Sequence, residues 1–384
     1  MSGRWDIAVV GAGPAGSCAA LAALAVAPDA RVLLLDRADF PRDKPCGDGI
    51  APQVLDVLAR LGVADVVDGW APLHRLDLVH GSRVVRGHLT RPVRVIPRQV
   101  FDARLADRAT AAGATMLRHR VRSVRRTPTL IEVDGIAAAR FVIAADGVHS
   151  IARPATVRRP RAIAIRGYAP TSPQRRGSQF IRFGDRRQPA YAWAFDRGDG
   201  LSNVGYGELA GSPGLTRDVL LDQLDRLIPG AGVDGRQWRA HHLPLSSWRW
   251  GPEQPDGPVL TVGDAAGLVN PLTGEGIYYA VATGALAGWI VGEALTAGAA
   301  VDAGRRYRHA TRGLLGTHLR HTWLTARLAR RPLIVDAGIA AAAGNAAVFD
   351  DLVDLGLGDG RVTGRLAVGL GRHLVGRLPR RPGA

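Results

Sequence analysis

The chain has 384 residues, 46% hydrophobic and 22% charged, an ordinary globular balance that excludes a disordered chain and allows one large domain or two to three interleaved ones. Its two cysteines, Cys18 and Cys46, exclude a disulfide scaffold and a four-cysteine metal site. The net charge is +16, yet Lys44 is the single lysine, and so marked an arginine skew beside abundant Ala, Gly and Val fits GC-rich coding more than a selected polybasic surface.

Residues 6–10 read as a short apolar strand that runs into Gly11-Ala12-Gly13-Pro14-Ala15-Gly16. An alanine-rich helix is expected over 17–27, then a second apolar strand over 31–35 that ends at Asp36. This is the strand–GxGxxG–helix–strand order of a dinucleotide site. Gly11 permits the tight turn, Gly13 lets backbone approach a pyrophosphate, and Gly16 lets the helix pack on the strand. Pro14 and Ala15 open the helix, whose free amides and positive dipole face the phosphates. Asp36, with Arg37 beside it, stands where adenosine ribose hydroxyls are held.

Residues 7–28 and 276–292 are long uncharged runs, but their Gly and Ala patterns have a better explanation than membrane crossing. Asp6 precedes the first of them and no polar cleavage region follows, against a signal peptide. The expectation is a protein of a reducing, cytoplasmic compartment. Residues 303–384 hold 14 Arg against 5 Asp, and 364–384 alternate Arg with apolar residues. That alternation suits a membrane-surface helix, so peripheral contact with an anionic membrane is also expected.

In the middle of the chain, 141–145 is a strand ending at Asp146-Gly147, and 259–262 is a strand ending at Gly263-Asp264. A second glycine loop follows, through Pro271, Gly274, Gly276 and Ile277, into a long Ala/Gly helix. Amides at that helix start suit the electron-rich edge of a reduced flavin, and Asp264 could hold a ribityl hydroxyl. Tyr191, Trp193 and Phe195 alternate, so they share one face of a strand. Trp248 and Trp250 have the same spacing and read as packing. Cys18, among alanines, reads as core. No histidine group has metal-ligand spacing, and arginine is not interleaved with aromatics as a nucleic-acid groove requires.

Taken together, GAGPAG at 11–16, ADGVHSIAR at 145–153 and GDAAGLVNPLTGEGI at 263–277 resemble the three FAD signatures of the para-hydroxybenzoate-hydroxylase-like flavoproteins. Within that group KPCGDG at 44–49 resembles the geranylgeranyl reductase family, which saturates isoprenoid double bonds. YAWAF at 191–195 resembles its aromatic Y-x-W-x-F stretch, and VFDDL at 348–352 a C-terminal segment. Arg98, followed by Phe101-Asp102, resembles the helix-start arginine that reaches the flavin. The chain departs from the pattern at Asp196, where proline is usual, and at Asp36, where Glu is common.

The resemblance implies FAD, with NAD(P)H or another reductase as electron donor, and an isoprenoid lipid substrate. It implies cofactor contacts at Cys46, Gly47, Arg98, Asp146, Gly147, Gly263 and Asp264, in addition to the two glycine loops. Cys46, Trp193 and Tyr191 would serve catalysis, with Cys46, or a water it positions, as proton donor. The rival on the same fold is an aromatic hydroxylase that uses NAD(P)H and oxygen.

The expected fold is α/β: a Rossmann-like FAD-binding domain of glutathione-reductase/para-hydroxybenzoate-hydroxylase type, a β-sheet substrate domain and a C-terminal helical region. The FAD-binding domain is expected over 1–73, 92–160 and 255–300, the substrate domain over 74–91 and 161–254. Strands of the latter are expected at 75–80, 83–89, 161–168, 179–183, 191–195, 203–206 and 238–243, with a helix at 216–227. Residues 301–384 read as helices broken at Pro332, Gly344 and 356–360.

Overall fold

A computed structural model describes residues 3–152, 161–248, 257–297 and 302–375. Arg153, Trp250 and the last part of the arginine-rich tail, 376–384, lie outside the described residues.

Strand β1 (Gly3–Val10) feeds the glycine loop and helix α1 (Pro14–Val26), and β2 (Val32–Asp36) returns parallel to β1. Then come β3 (Gly49–Ile50), α2 (Pro52–Arg60), β4 (Leu73–His80), β5 (Arg83–Val95) and α3 (Arg98–Ala111). Short strands β6 (Thr115–Arg118), β7 (Val124–Arg126) and β8 (Ile131–Val133) lead to β9 (Ala137–Ala144). The second half opens with β10 (Arg161–Pro170), β11 (Ser178–Phe183), β12 (Tyr191–Asp196) and β13 (Leu201–Leu209). Helix α4 (Arg217–Leu227), one-turn α5 (Ala231–Asp234), β14 (Arg236–Pro244) and β15 (Val259–Thr261) follow. Five helices finish the described chain: α6 (Ile277–Thr296), α7 (Ala303–Leu328), α8 (Pro332–Gly344), α9 (Ala346–Leu357) and α10 (Gly364–Val375).

Two sheets result. One has the order β6-β2-β1-β9-β8-β7, with β15 on β9; its β1, β2, β6, β9 and β15 pairings are parallel. The other has the order β14-β10-β13-β12-β11-β4-β5-β3 and is antiparallel except for the β11–β4 pair. Each strand expected between 74 and 244 is present. β5 runs six residues past its expected end, because its polar-apolar alternation continues through Arg94 and Val95. The helix breaks expected at Pro332, Gly344 and 356–360 are where α7, α8 and α9 end or begin.

The Gly/Ala-rich runs at 7–28 and 276–292 are explained by one contact. α1 and α6 lie backbone to backbone: a β-carbon on Gly284 or Gly288 would overlap the Ala15 or Ala19 carbonyl oxygen, and on Gly292 the Val26 side chain. Small residues are needed there because the two backbones touch, not because lipid surrounds them. Among the described residues no helix is long and apolar enough to cross a membrane.

The C-terminal helices cover the second sheet at β4 and β5. The Phe349 ring of α9 lies on Gly87 of β5, in the space where a β-carbon would project. Gly87→Ala is therefore expected to cost about 1–3 kcal/mol as overpacking. Thermal unfolding of the single variants and the Gly87→Ala/Phe349→Ala double variant checks this, since removing the ring should relieve most of the glycine penalty.

Helix α10 is the described part of the arginine-rich stretch expected to suit a membrane surface. Its Leu366 is buried and packs on Ala341 and Val348, Leu370 and Leu374 line the interior cavity, and Val368 is 53% exposed. Sequence alternation alone does not tell an inward stripe from an outward one.

Candidate active site

The first glycine loop behaves as its spacing requires. Gly11 has φ +99°, a left-handed conformation open to glycine, and a β-carbon on Gly16 would overlap the Gly11 carbonyl oxygen. Helix α1 starts after Gly13 with no side-chain cap, which leaves its first amides directed at the loop. Asp36 ends β2 and accepts from the Ala12 N–H at 2.9 Å and the Ala38 N–H at 3.0 Å. Arg37 lies beside it on the cavity wall.

A chain of charges leads inward from Asp36. Arg42 reaches Asp36 at 3.5 Å and Asp102 at 3.1 Å, and Arg98 donates to both Asp102 oxygens at 2.6 and 2.8 Å. Arg98 is 4% exposed and faces Cys46. Because Arg98 and Asp102 are one turn apart on α3, the helix itself sets their register.

The cysteine loop crosses from the first sheet to the second and is tied at each step. Asp43 pairs with Arg166 and Arg239, and Lys44 donates to Asp264 at 3.1 Å. The Cys46 carbonyl accepts from Asn203 Nδ2 at 2.8 Å. Asp48, at φ +61°, accepts from Tyr168 Oη and from Asn203 Nδ2, each at 2.7 Å. Asn203 Oδ1 in turn accepts from Trp193 Nε1 at 2.8 Å. One asparagine thus joins the cysteine loop to the aromatic strand.

Burial pushes the Asp48 carboxyl up to about 6, against the opposing effects of Tyr168, Arg166 and Asn203. The folded protein then holds a proton more tightly than the unfolded chain between pH 3.8 and about 6. Stability from this group is fully present below that window and is lost as pH rises through it, by about 3 kcal/mol. Urea unfolding at pH 4 and pH 7 should carry that contribution, and Asp48→Asn should change the difference between the two pH values by about that amount.

Tyr191, Trp193 and Phe195 form one row on β12, with ring centroids 6.0 and 6.3 Å apart, and all three line the cavity. Tyr191 Oη donates to the Thr273 carbonyl in the second glycine loop. In that loop Gly274 has φ +72° and its β-carbon position faces Tyr191 Oη at 3.6 Å. Gly276 precedes α6, Ile277 begins it, and Pro271 lies on the cavity wall.

Glu275, absent from the sequence expectations, lines the same cavity and accepts from the Tyr278 N–H at 2.9 Å. Burial raises its carboxyl to about 7, despite the amides of Tyr278, Ile277 and Gly276. Burial also raises the Cys46 thiol, with Arg98 opposing. Burial pushes Asp264 up, but the Lys44 ammonium outweighs it and holds that carboxyl below the usual range. Burial first, and Lys44 second, lower His241 to about 4.

These groups surround one cavity of about 1120 Å³ that runs from Gly11 and Asp36 past Arg98 and Cys46 to Trp193. It continues between the second sheet and the C-terminal helices along Leu76, Ile181, Ile339, Leu352, Leu366 and Leu370. That volume exceeds the roughly 300–1,000 Å³ of a single small-ligand site, so it has room for a cofactor and a second molecule.

The residues fit FAD. The glycine loop offers uncapped amides and close backbone approach. Asp146 Oδ1 is buried without a hydrogen-bond partner among the described residues, while Oδ2 accepts from the Ile151 N–H at 2.8 Å. Gly147 (φ +82°) leaves the wall beside Asp146 free of a side chain, whereas Gly263 (φ +53°) lies behind the wall, its β-carbon position facing Ala280 and Ala15. His149, also on the wall, faces His241.

Three features were beyond the sequence reading. Arg166 is buried at 1% exposure and lies over the Tyr168 ring at 4.6 Å, a partnership that appears only when β10 meets the cysteine loop. Asn203 carries no motif. Trp248, read as packing, is 51% exposed and rests on Trp323.

The fold and these loops define a flavoprotein of para-hydroxybenzoate-hydroxylase type, and a model for the FAD binding domain matches residues 4–162. The chain is 32% identical to a menaquinone reductase of Mycolicibacterium smegmatis over 85% of its length and 84% of the relative's. It is 36% identical to digeranylgeranylglycerophospholipid reductase 1 of Methanopyrus kandleri, over 76% and 81%. A solved structure of a geranylgeranyl bacteriochlorophyll reductase-like protein from Thermoplasma acidophilum shares its fold, with TM-score 0.74, 20% identity and coverage of 99% and 98%. The chain belongs to the geranylgeranyl reductase family of FAD-dependent oxidoreductases.

Proposed function

We propose that the protein saturates carbon–carbon double bonds in the isoprenoid chain of a lipid or quinone. The observation that carries this reading is the apolar gallery. It is continuous with the flavin-binding loops and meets them at Cys46, Trp193 and Tyr191. Relatives named for menaquinone and digeranylgeranylglycerophospholipid support the same substrate class.

Saturation of an isolated alkene needs a hydride and a proton, delivered where water cannot trap positive charge on the tertiary carbon. FAD, when bound and reduced, supplies the hydride. Gly11, Gly13, Pro14, Ala15, Gly16, Asp36 and Arg37 would hold its adenosine and pyrophosphate. Cys46, Gly47, Arg98, Asp146, Gly147, Gly263, Asp264, Pro271, Gly274, Gly276 and Ile277 would hold the rest. Cys46 keeps its proton on Sγ at neutral pH because burial raises the thiol. It gives that proton to the alkene. The aromatic row of Tyr191, Trp193 and Phe195 shapes the dry wall against which the chain lies.

In this reading residues 1–73, 92–160 and 255–300 bind the cofactor, 74–91 and 161–254 bind substrate, and the described helices of the C-terminal region, 301–384, close the gallery. Electrons come from NAD(P)H or a separate reductase. The protein works in the cytoplasm in peripheral contact with the membrane.

The test is anaerobic. The flavin is photoreduced, and a polyprenyl quinone or geranylgeranyl diphosphate is added in detergent. The expected product is heavier by 2 Da per double bond, with the flavin reoxidised. A flavin that stays reduced until air is admitted, with 16 Da then added to an aromatic, would sink the reading in favour of the hydroxylase.

A further inference from the structure

One wall of the gallery is also the surface of the protein. His321, Leu324, Thr325 and Leu328 of α7 line the cavity, yet Leu324 is 44% and Leu328 47% exposed. Positions 314, 321, 324 and 328 fall at helical spacing on one face, and Leu314 is 38% exposed. Leu333, at the start of α8, is exposed as well. Alongside, the exposed Trp248 rests against Trp323.

The charge around this face is one-sided. Residues 303–335 contain eight arginines and no acid. Arg312, Arg320, Arg327, Arg330 and Arg331 are exposed, and none forms an ion pair with a described residue. Arg327 lies over the Trp323 ring at 5.6 Å. Of the acids that bound the stretch, Asp302 pairs with Arg305 at its start and Asp336 with His80.

We infer that this face of α7 and the start of α8 docks on an anionic lipid bilayer, with the cavity mouth at Leu324 and Leu328 opening into the acyl layer. Apolar side chains enter the interface while the arginines extend to headgroup phosphates. A protein partner would cap the mouth. A bilayer leaves it open to a lipid and supplies diffuse negative charge to five guanidinium groups that form no ion pair among the described residues. An isoprenoid chain then passes from lipid to gallery without crossing water. What passes rests on the reductase reading above; the docking does not.

The test is co-sedimentation of the full-length, flavin-loaded protein with vesicles. Equal parts phosphatidylglycerol and phosphatidylcholine are compared with phosphatidylcholine alone. Binding is expected to the anionic vesicles and to weaken with added salt. Arg327→Gln/Arg330→Gln/Arg331→Gln should weaken it about a hundredfold, about fivefold for each arginine. Leu314→Glu/Leu333→Glu, at residues that do not line the cavity, should abolish it. Both variants should retain turnover of detergent-solubilised substrate.

Arg377→Gln/Arg380→Gln/Arg381→Gln should bind as the parent protein does. The inference is overturned if the parent protein stays out of the anionic pellet, if the 327/330/331 variant binds undiminished, or if loss follows the 377/380/381 variant instead. Substrate reduction in detergent contains no vesicle, so a failed reductase assay and a failed docking assay are distinct results.

Discussion

Cys46→Ala should slow reoxidation of the reduced flavin by an isoprenoid substrate about 10²- to 10⁴-fold, with bound FAD unchanged. The size of the effect is that of losing a positioned general acid. The retention of FAD follows because the loop is held by groups other than the thiol: Asp43 on Arg166, Lys44 on Asp264, and the Cys46 carbonyl on Asn203. Stopped-flow absorbance measures the rate, and the flavin-to-protein ratio measures occupancy. The pH dependence discriminates between donors. A thiol raised by burial keeps its proton across neutral pH, so the rate should be level to about pH 8. Glu275, held at about 7, would instead lose its proton as pH rises through neutrality. A rate that falls about tenfold per pH unit above 7, and levels out in Glu275→Gln, would reassign the proton to Glu275.

The second large effect is on binding. Gly16→Ala should yield protein without flavin, because the new β-carbon and the Gly11 carbonyl oxygen cannot share their space. α1 must then move away from the loop whose amides it presents. The control is Gly313→Ala on α7, where a β-carbon meets nothing within 4 Å. There the change should keep full FAD content and raise stability by roughly 0.5–1 kcal/mol through helix propensity. Purified Gly16→Ala with stoichiometric FAD would refute the close-approach argument. Loss of the ligand's stabilisation should also lower the melting temperature of Gly16→Ala beyond its packing strain.

The parts that could be read from sequence are those in which a local pattern has a local cause. Gly11, Gly13 and Gly16 are spaced by the turn they make. The alternation of Tyr191, Trp193 and Phe195 places three rings on one face whatever the sheet around them. Pro332 and Gly344 stop helices by their own chemistry. The parts that could not be read are made by residues distant in sequence. Asp48 becomes a buried acid only because Tyr168 and Asn203 arrive from β10 and β13. Glu275 lies in a recognised loop, but its spacing does not say that the carboxyl turns into the cavity. The direction of an amphipathic stripe is likewise tertiary information. On α10 the leucines point inward, and on α7 a stripe points out, beside the surface that buries Leu315, Leu319 and Ala326.

Lys44 also gives the protein a built-in reporter. Its ε-amine is the single side-chain amine in a chain of 384 residues, and it is ion-paired with Asp264 on the cavity wall. Reductive methylation with isotopically labelled formaldehyde would therefore place one internal NMR probe in the molecule, apart from that on the α-amino group. Its charge is kept on methylation, so the pair with Asp264 persists as a point-charge contact. Its chemical shift would follow cofactor loading, the neutral state of His241 and entry of a lipid tail. No engineered cysteine or fluorophore would be needed.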